Sequence, residues 1–395
     1  MSDTSRGSIH NEPLFDRNTT RAWRCADSLS LRSFLGLELT EKSPDHSSLT
    51  RIRDRYPIEI ADKVFAFVLG MARERKLISG AQVGVDATLL EANAAMKSIV
   101  RRDTDEDWKA YLRRLMAEDG LVDDDDEPAD EELRRFDRSR KDKKVSNGAW
   151  KSPVDDDARI VKLKDGRTHL GHKAEHTVDL ESGFVLSATV QHGTEPDSQT
   201  LCDAVIGAQE NLDRADCDTV ITEVAADKGY HSNAQLAGCD ELGLRTYIRE
   251  PSSPRQRKWT DKCDEVVRAV TNNRRRMKRP KGRQLQKLRS ERVERSFAHI
   301  SETGGARRTW LRGLEKINKR YRLTVAAHNL GLLMRSLFGT GKPRQSAALQ
   351  PLQLLCSATT EALNAISATL GALTKRQRPN STHPYCSRYS ICIVP

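Results

Sequence analysis

Apolar positions first fall into a regular pattern at Trp23. Residues 1–20 are polar and irregular and are expected to be poorly ordered. From Trp23 to Ile78 the positions Leu29, Leu31, Phe34, Leu35 and Leu37, then Ile60, Val64, Phe65, Phe67, Val68 and Met71, recur at helical intervals. Ser43-Pro-Asp-His between them has the form of a capping turn, so the pattern predicts a small all-helical module over 21–79. Ala81 to Leu90 then holds a short strand candidate ending at Asp86. Residues 98–166 form a highly charged insertion, with an acidic run from Asp123, a basic run from Arg138, and Trp108, Tyr111, Leu112 and Leu115 spaced for one docked helix.

Strand signals return at His172. Two β-rich runs, His172 to Leu180 and Phe184 to Val190, flank the turn Glu181-Ser-Gly and predict a hairpin. A helix from Asp197 to about Leu212 follows, then a strand from Thr219 that ends at Asp227, a helix near Ser232 to Leu242, and a strand from Leu244 to Arg249. Leu285, Leu288, Val293 and Phe297 form the apolar stripe of a helix over Leu285 to Ile300, and a mostly buried helix begins at Tyr321. This order predicts a mixed α/β layer architecture. The apolar stretch Ser346 to Leu373 is interrupted by polar residues and predicts an amphipathic C-terminal helix, with a tail to 395.

Charge narrows the partner. A formal net charge of +10 favours a polyanion, nucleic acid first. Eight cysteines without any C-x-x-C pair or Cys/His ligand spacing signal neither a zinc site nor a disulfide framework. The N-terminus lacks an apolar run of signal-peptide type, and no membrane role follows, so the expected location is cytoplasmic and nucleoid-associated.

Three acids stand where apolar sequence turns polar: Asp86, Asp227 and Glu294. A carboxylate at the end of a buried strand is costly unless its charge is compensated, and a divalent cation is the usual compensation for a convergent trio. Two strand-end aspartates and a helical glutamate would hold two Mg²⁺ ions across a scissile phosphate, activating the attacking oxygen and stabilising the leaving one. Candidate DNA contacts gather around this trio. Lys228 and Tyr230 follow the second aspartate, Arg255, Arg257 and Lys258 precede the glutamate helix, and Arg274, Arg275, Arg276, Lys278 and Arg279 form a second cluster.

At this point the motifs resemble a known family. Pro44-Asp-His-Ser-Ser-Leu-Thr-Arg-Ile-Arg, Val83-Gly-Val-Asp-Ala-Thr-Leu-Leu-Glu-Ala-Asn, Ala225-Ala-Asp-Lys-Gly-Tyr and Val293-Glu-Arg-Ser-Phe-Ala-His are similar to segments of bacterial insertion-sequence transposases of the DDE class. The resemblance spans about residues 23–340. It implies an RNase H-like mixed sheet flanked by helices over 80–340, with Asp86, Asp227 and Glu294 as metal-binding catalytic carboxylates and Mg²⁺, or Mn²⁺ in its place, as cofactor. It also implies double-stranded DNA as substrate, the terminal inverted repeats and the target, and a homodimer assembled on that DNA. Relatives often carry an arginine four residues before the glutamate and a lysine seven after it, where this chain has Ser290 and Ser301, so Arg289, Arg292, Arg295 or the later Arg307-Arg308 is expected to supply the phosphate contacts. Glu291 is the competing third carboxylate. The competing functions are a nuclease of the same fold without strand transfer and a catalytically silent DNA-binding remnant or repressor.

Overall fold

The computed structural model describes residues 17–123, 127–140, 147–163, 165–252, 259 and 262–339. Residues 1–16, 124–126 of the acidic run, 141–146 of the basic run, Arg255, Arg257 and Lys258, and the expected C-terminal helix and tail lie outside the described residues. The chain divides into two units, Met1–Pro57 with Lys342–Pro395, and Ile58–Gly341.

In the first unit, capping residues fix where helices begin. Helix α1 spans Arg17–Asp27, α2 Leu29–Phe34 and α3 His46–Arg55. Ser28 caps α2 by accepting from the Leu31 N–H at 3.3 Å, and Asp45 caps α3 by accepting from the Ser48 N–H at 2.7 Å. The Ser48 N–H, followed by the Ser47 hydroxyl, holds the Asp45 carboxyl down at about 2. The Arg32 guanidinium closes the turn after α2 by donating to the carbonyls of Glu38 and Glu41.

The second unit begins with α4, Ile58–Glu74, which buries Phe65, Val68, Leu69 and Ala72. Strand β1 runs from Gln82 to Glu91, and the charged insertion follows with β2 (Val100–Arg101), α5 (Trp108–Glu118), α6 (Asp130–Ser139), β3 (Trp150–Lys151) and β4 (Arg159–Lys162). Within it two helices, rather than the one expected, share a small core of Leu112, Met116 and Leu133. Then come β5 (Thr168–Asp179), β6 (Val185–His192), α7 (Asp197–Arg214), β7 (Glu223–Ala226), α8 (Asn233–Glu241), β8 (Arg245–Ile248), α9 (Asp264–Lys278), α10 (Pro280–Glu302) and α11 (Leu314–Phe338).

The main sheet has the order β6-β5-β1-β7-β8, with β4 also on the outer edge of β5. The pairs β6/β5 and β5/β1 are antiparallel, whereas β1/β7 and β7/β8 are parallel. Three antiparallel strands in chain order, followed across the first strand by two parallel ones reached through helices, give the expected RNase H-like topology. Side-chain alternation assigns the two faces. Thr177 and Glu175 on β5 meet Ala204 and Thr200 of α7, whereas Gly84 and Asp86 on β1 meet Arg289 of α10. Leu180, Ala225, Tyr247 and Leu285 pack together on the α10 side.

Strand β1 does not end at Asp86. It continues five residues further because β5 pairs with it as far as Glu91 opposite Gly171. Its partner on the other side stops sooner, since the β1/β7 ladder closes at Val85 opposite Ala226. Apolar periodicity marks which residues of one strand are buried; it carries no information about where the neighbouring strand ends.

Helix α10 approaches β1 closely at Gly84. A Cβ placed there would lie 2.7 Å from Leu180 Cδ2, 3.1 Å from Val293 Cγ2 and 3.2 Å from Arg289 Cγ. Gly84→Ala should therefore lower unfolding free energy by about 1–3 kcal/mol through overpacking. Urea denaturation of the variant beside the wild type measures this, and an unchanged midpoint would show that the helix is free to shift.

Candidate active site

Asp86 lies on β1 at the first position where that strand has lost its β7 neighbour, and Asp227 directly follows the last residue of β7. Parallel neighbours thus present two carboxylates side by side at the carboxyl end of β7, the usual place for a ligand in an open α/β sheet. One guanidinium reaches both. Arg289 Nη1 donates to Asp86 Oδ2 at 2.6 Å, and Nη2 lies 3.7 Å from Asp227 Oδ1. The Arg289 side chain is 8% exposed, against 24% for Asp86 and 50% for Asp227. The cation is therefore the innermost of the three groups.

Burial, the largest effect, pushes the Asp86 carboxyl up from its ordinary value; the Arg289 charge and the Ala87 N–H oppose the shift, and the Asp227 charge adds to it. The Ala87 N–H donates to Asp86 Oδ1 at 2.8 Å. Two neighbouring carboxylates around a cation form a donor set suited to a hard divalent ion. The pair fits such an ion, because a positive charge already occupies the ground between them.

Helix α10 is held over this pair by hydrogen bonds to the sheet. Gln286 Nε2 donates to the carbonyls of Ala226 and Tyr247 at 3.0 and 2.5 Å, tying the helix to the ends of β7 and β8. On β5, opposite Asp86, the buried His176 ring lies 2.9 Å through Nδ1 from Ser296 Oγ and 2.8 Å through Nε2 from the Tyr321 hydroxyl, and it stacks on Phe297. Burial pushes the His176 pKa well below its ordinary value. A neutral ring, one nitrogen donating and one accepting, suits two hydroxyl partners.

Glu294 lies elsewhere on this helix. The inward row is Gln286, Arg289, Val293, Ser296 and Ile300. Glu294 is one position, or about 100°, round from Val293 and is exposed. Glu291 is exposed as well and pairs with Arg295 at 2.9 Å. Among the described residues no cluster of three or more acidic, histidine or cysteine side chains suited to a metal forms, so Asp86 and Asp227 come together without Glu294.

The expected DNA contacts divide in the same way. Lys228, Arg275, Lys278 and Arg279 are exposed. Arg274 instead makes two 2.7 Å hydrogen bonds to Glu250, and Arg276 donates to Thr246 through both its carbonyl and its hydroxyl oxygen. Arg292 is half-buried beside Gly183. Tyr230 is wholly buried and offers no surface to DNA, its hydroxyl donating to Glu175 Oε1 at 2.8 Å.

Glu175 had no signal in the sequence beyond its place in a predicted strand. It accepts also from Thr200 Oγ1 at 2.6 Å, and Lys173 on the same face donates to Asp197 at 3.0 Å. Asp197 Oδ2 would in turn lie 3.0 Å from a Cβ at Gly229, so the turn after Asp227 packs directly on the start of α7. This network fixes the Asp227 turn from the side opposite α10.

Burial pushes the Glu175 carboxyl up, against the hydrogen bonds from Thr200 and Tyr230. The folded state then binds that proton more tightly than the unfolded one. The resulting stability is full below the ordinary value of 4.5 and is lost as pH rises through the folded-state value. Glu175→Gln keeps an acceptor for both hydroxyls without the charge. Its melting temperature relative to wild type should rise as pH increases above 4.5, and a flat difference would place the ionisation elsewhere.

Comparisons with known proteins agree with the motifs. Residues 225–334 match the family model of a transposase DDE domain, and residues 16–55 match that of a transposase domain (DUF772). No curated protein matches. One solved structure, the "Mos1 transposase paired-end complex with left transposon end", is similar at 11% identity over 74% of this chain and 82% of that one, with a TM-score of 0.21, too low a likeness to carry weight. The DDE-domain match begins inside β7 and takes in Asp227 and all of α10, while the second match covers the N-terminal helices. Models of two transposase domains thus match one chain, in the order the sequence motifs anticipate.

Proposed function

We propose that this DNA transposase cuts the ends of its own element and joins them to target DNA in a divalent-metal-dependent reaction, Mg²⁺ serving and Mn²⁺ replacing it. The observation that carries the proposal is the placing of Asp86 and Asp227 on neighbouring strand positions around one buried positive charge. Asp86 and Asp227 would hold the metal. When bound, such an ion lowers the pKa of an attacking water or hydroxyl and offsets charge on the leaving oxygen.

The chain's own residues do the rest. Gln286 and the Glu175–Tyr230 pair keep the two carboxylates at fixed positions, so little reorganisation is needed when substrate arrives. The exposed cations Lys228, Arg275, Lys278 and Arg279 supply phosphate contacts and set the salt dependence of binding. Glu294 is the proposed third carboxylate on the strength of its motif, with Glu291 one turn before it as the competitor.

The test is end cleavage on a DNA fragment carrying the element's termini, with Mg²⁺ or Mn²⁺. Asp86→Asn and Asp227→Asn should each lower cleavage by about 100-fold or more. Undiminished cleavage in either variant would remove that residue from the site. Loss in Glu291→Gln with Glu294→Gln retained would transfer the third role to Glu291. Joined strand-transfer products separate transposition from hydrolysis alone. The exposed position of Glu294 supports a second reading, a DNA-binding copy without catalysis, whose mark is metal-independent binding with no cut in either metal.

A further inference from the structure

Arg289 is buried and faces inward; among the described Lys and Arg residues only Arg32 and Lys173 are also buried, and of these three it alone lies against Asp86 and Asp227. A buried guanidinium is retained only where anions and acceptors surround it. Here its hydrogen bond to Asp86, its ion pair with Asp227 and a 3.2 Å contact to Ser290 Oγ account for both terminal nitrogens, while Nε is buried without a hydrogen-bond partner. Its stem is fixed as well, since Cγ lies against the one residue of β1 that leaves room for it, Gly84.

The two carboxylates that would hold a divalent ion are therefore already engaged by a cation from the protein. A metal ion at Asp86 Oδ2 and the guanidinium 2.6 Å from that oxygen compete for the same negative charge, because the two positive charges repel at such close range. We propose that Arg289 is an internal counter-ion that competes with the metal for Asp86 and Asp227 and is displaced when the metal binds. The proposal rests on the metal-dependent reading above and concerns this chain's own residue in it. It gives Arg289 a role different from a standing DNA contact: before metal arrives, the guanidinium holds the carboxylates together. Once displaced, it is a planar donor in need of an oxyanion, and a DNA phosphate beside the site has the matching geometry. Arg289 is thus a positioning residue.

The test uses the full chain and Mn²⁺ alone, measured by titration calorimetry on wild type, Asp86→Asn and Arg289→Met. Methionine keeps much of the stem and removes the charge. Arg289→Met should bind Mn²⁺ at least roughly 5-fold tighter than wild type, and Asp86→Asn should bind it more weakly. A second arm needs no substitution at Arg289: phenylglyoxal labelling of wild type, read by peptide mass spectrometry, should modify Arg289 more in Mn²⁺ than without it. If Mn²⁺ binds and Asp86→Asn weakens it, but Arg289→Met binds no tighter or labelling of Arg289 does not rise, the counter-ion role is overturned and the metal site stands. If wild type binds no Mn²⁺, or Asp86→Asn binds it equally well, the metal reading itself fails and this inference with it.

Discussion

Strand β1 is hydrogen-bonded on both edges as far as Val85 and on one edge beyond it, because β7 stops at Ala226 while β5 pairs on to Glu91. The site depends on that asymmetry. A strand held on one side stays extended, so Asp86 keeps a fixed direction, while the vacated side leaves room for a ligand next to it. Asp227 is the first residue past the end of the shorter strand, and parallel register makes it the neighbour of Asp86. Neither aspartate could be moved by one residue without turning its side chain to the other face of the sheet.

Polar networks on both faces hold this arrangement, and they differ in kind. On the α7 side a single carboxylate, Glu175, collects hydroxyl donors from a helix and from the turn after Asp227. On the α10 side the neutral His176 ring joins hydroxyls of two helices, and the Gln286 amide donates to the carbonyls of Ala226 and Tyr247. Each hydrogen bond contributes only about 1 kcal/mol net, but leaving one partner buried and unpaired costs about 1–3 kcal/mol. The networks therefore specify geometry more than they add stability, which is what a site with two mutually repelling carboxylates requires.

How much of this was legible follows from what periodicity can register. The alternation of apolar runs in residues 172–249 located the hairpin, the crossover helices and both parallel strands, and Asp86 and Asp227 stood out because polar residues interrupt apolar sequence there. Strand ends were less legible: β1 passes through Asp86, since ladder length is a property of two chains segments meeting far apart in sequence. Tyr230 read as a DNA contact because it follows Asp227-Lys-Gly, yet the partner that buries it, Glu175, lies 55 residues earlier. For α10 the apolar stripe of Leu285, Leu288, Val293 and Phe297 suggested the right helix and concealed its register. Leu285, Arg289 and Val293 recur at four-residue spacing, the helical row that faces the sheet, so the inward position of Arg289 was present in the sequence but masked by its charge.

That charge also changes how the chain's net positive balance should be understood. Of the cations gathered before and on α10, Arg274 neutralises Glu250, Arg276 ties α9 to β8 and Arg289 engages the two aspartates, so three of them serve the fold or the site from within. Among the described residues, exposed cations open to a polyanion include Lys228 beside Asp227, and Arg275, Lys278 and Arg279 at the end of α9. Ser290 stands where relatives often place a basic residue, and the adjacent Arg289, about 100° round the helix, turns its positive charge inward to the carboxylates.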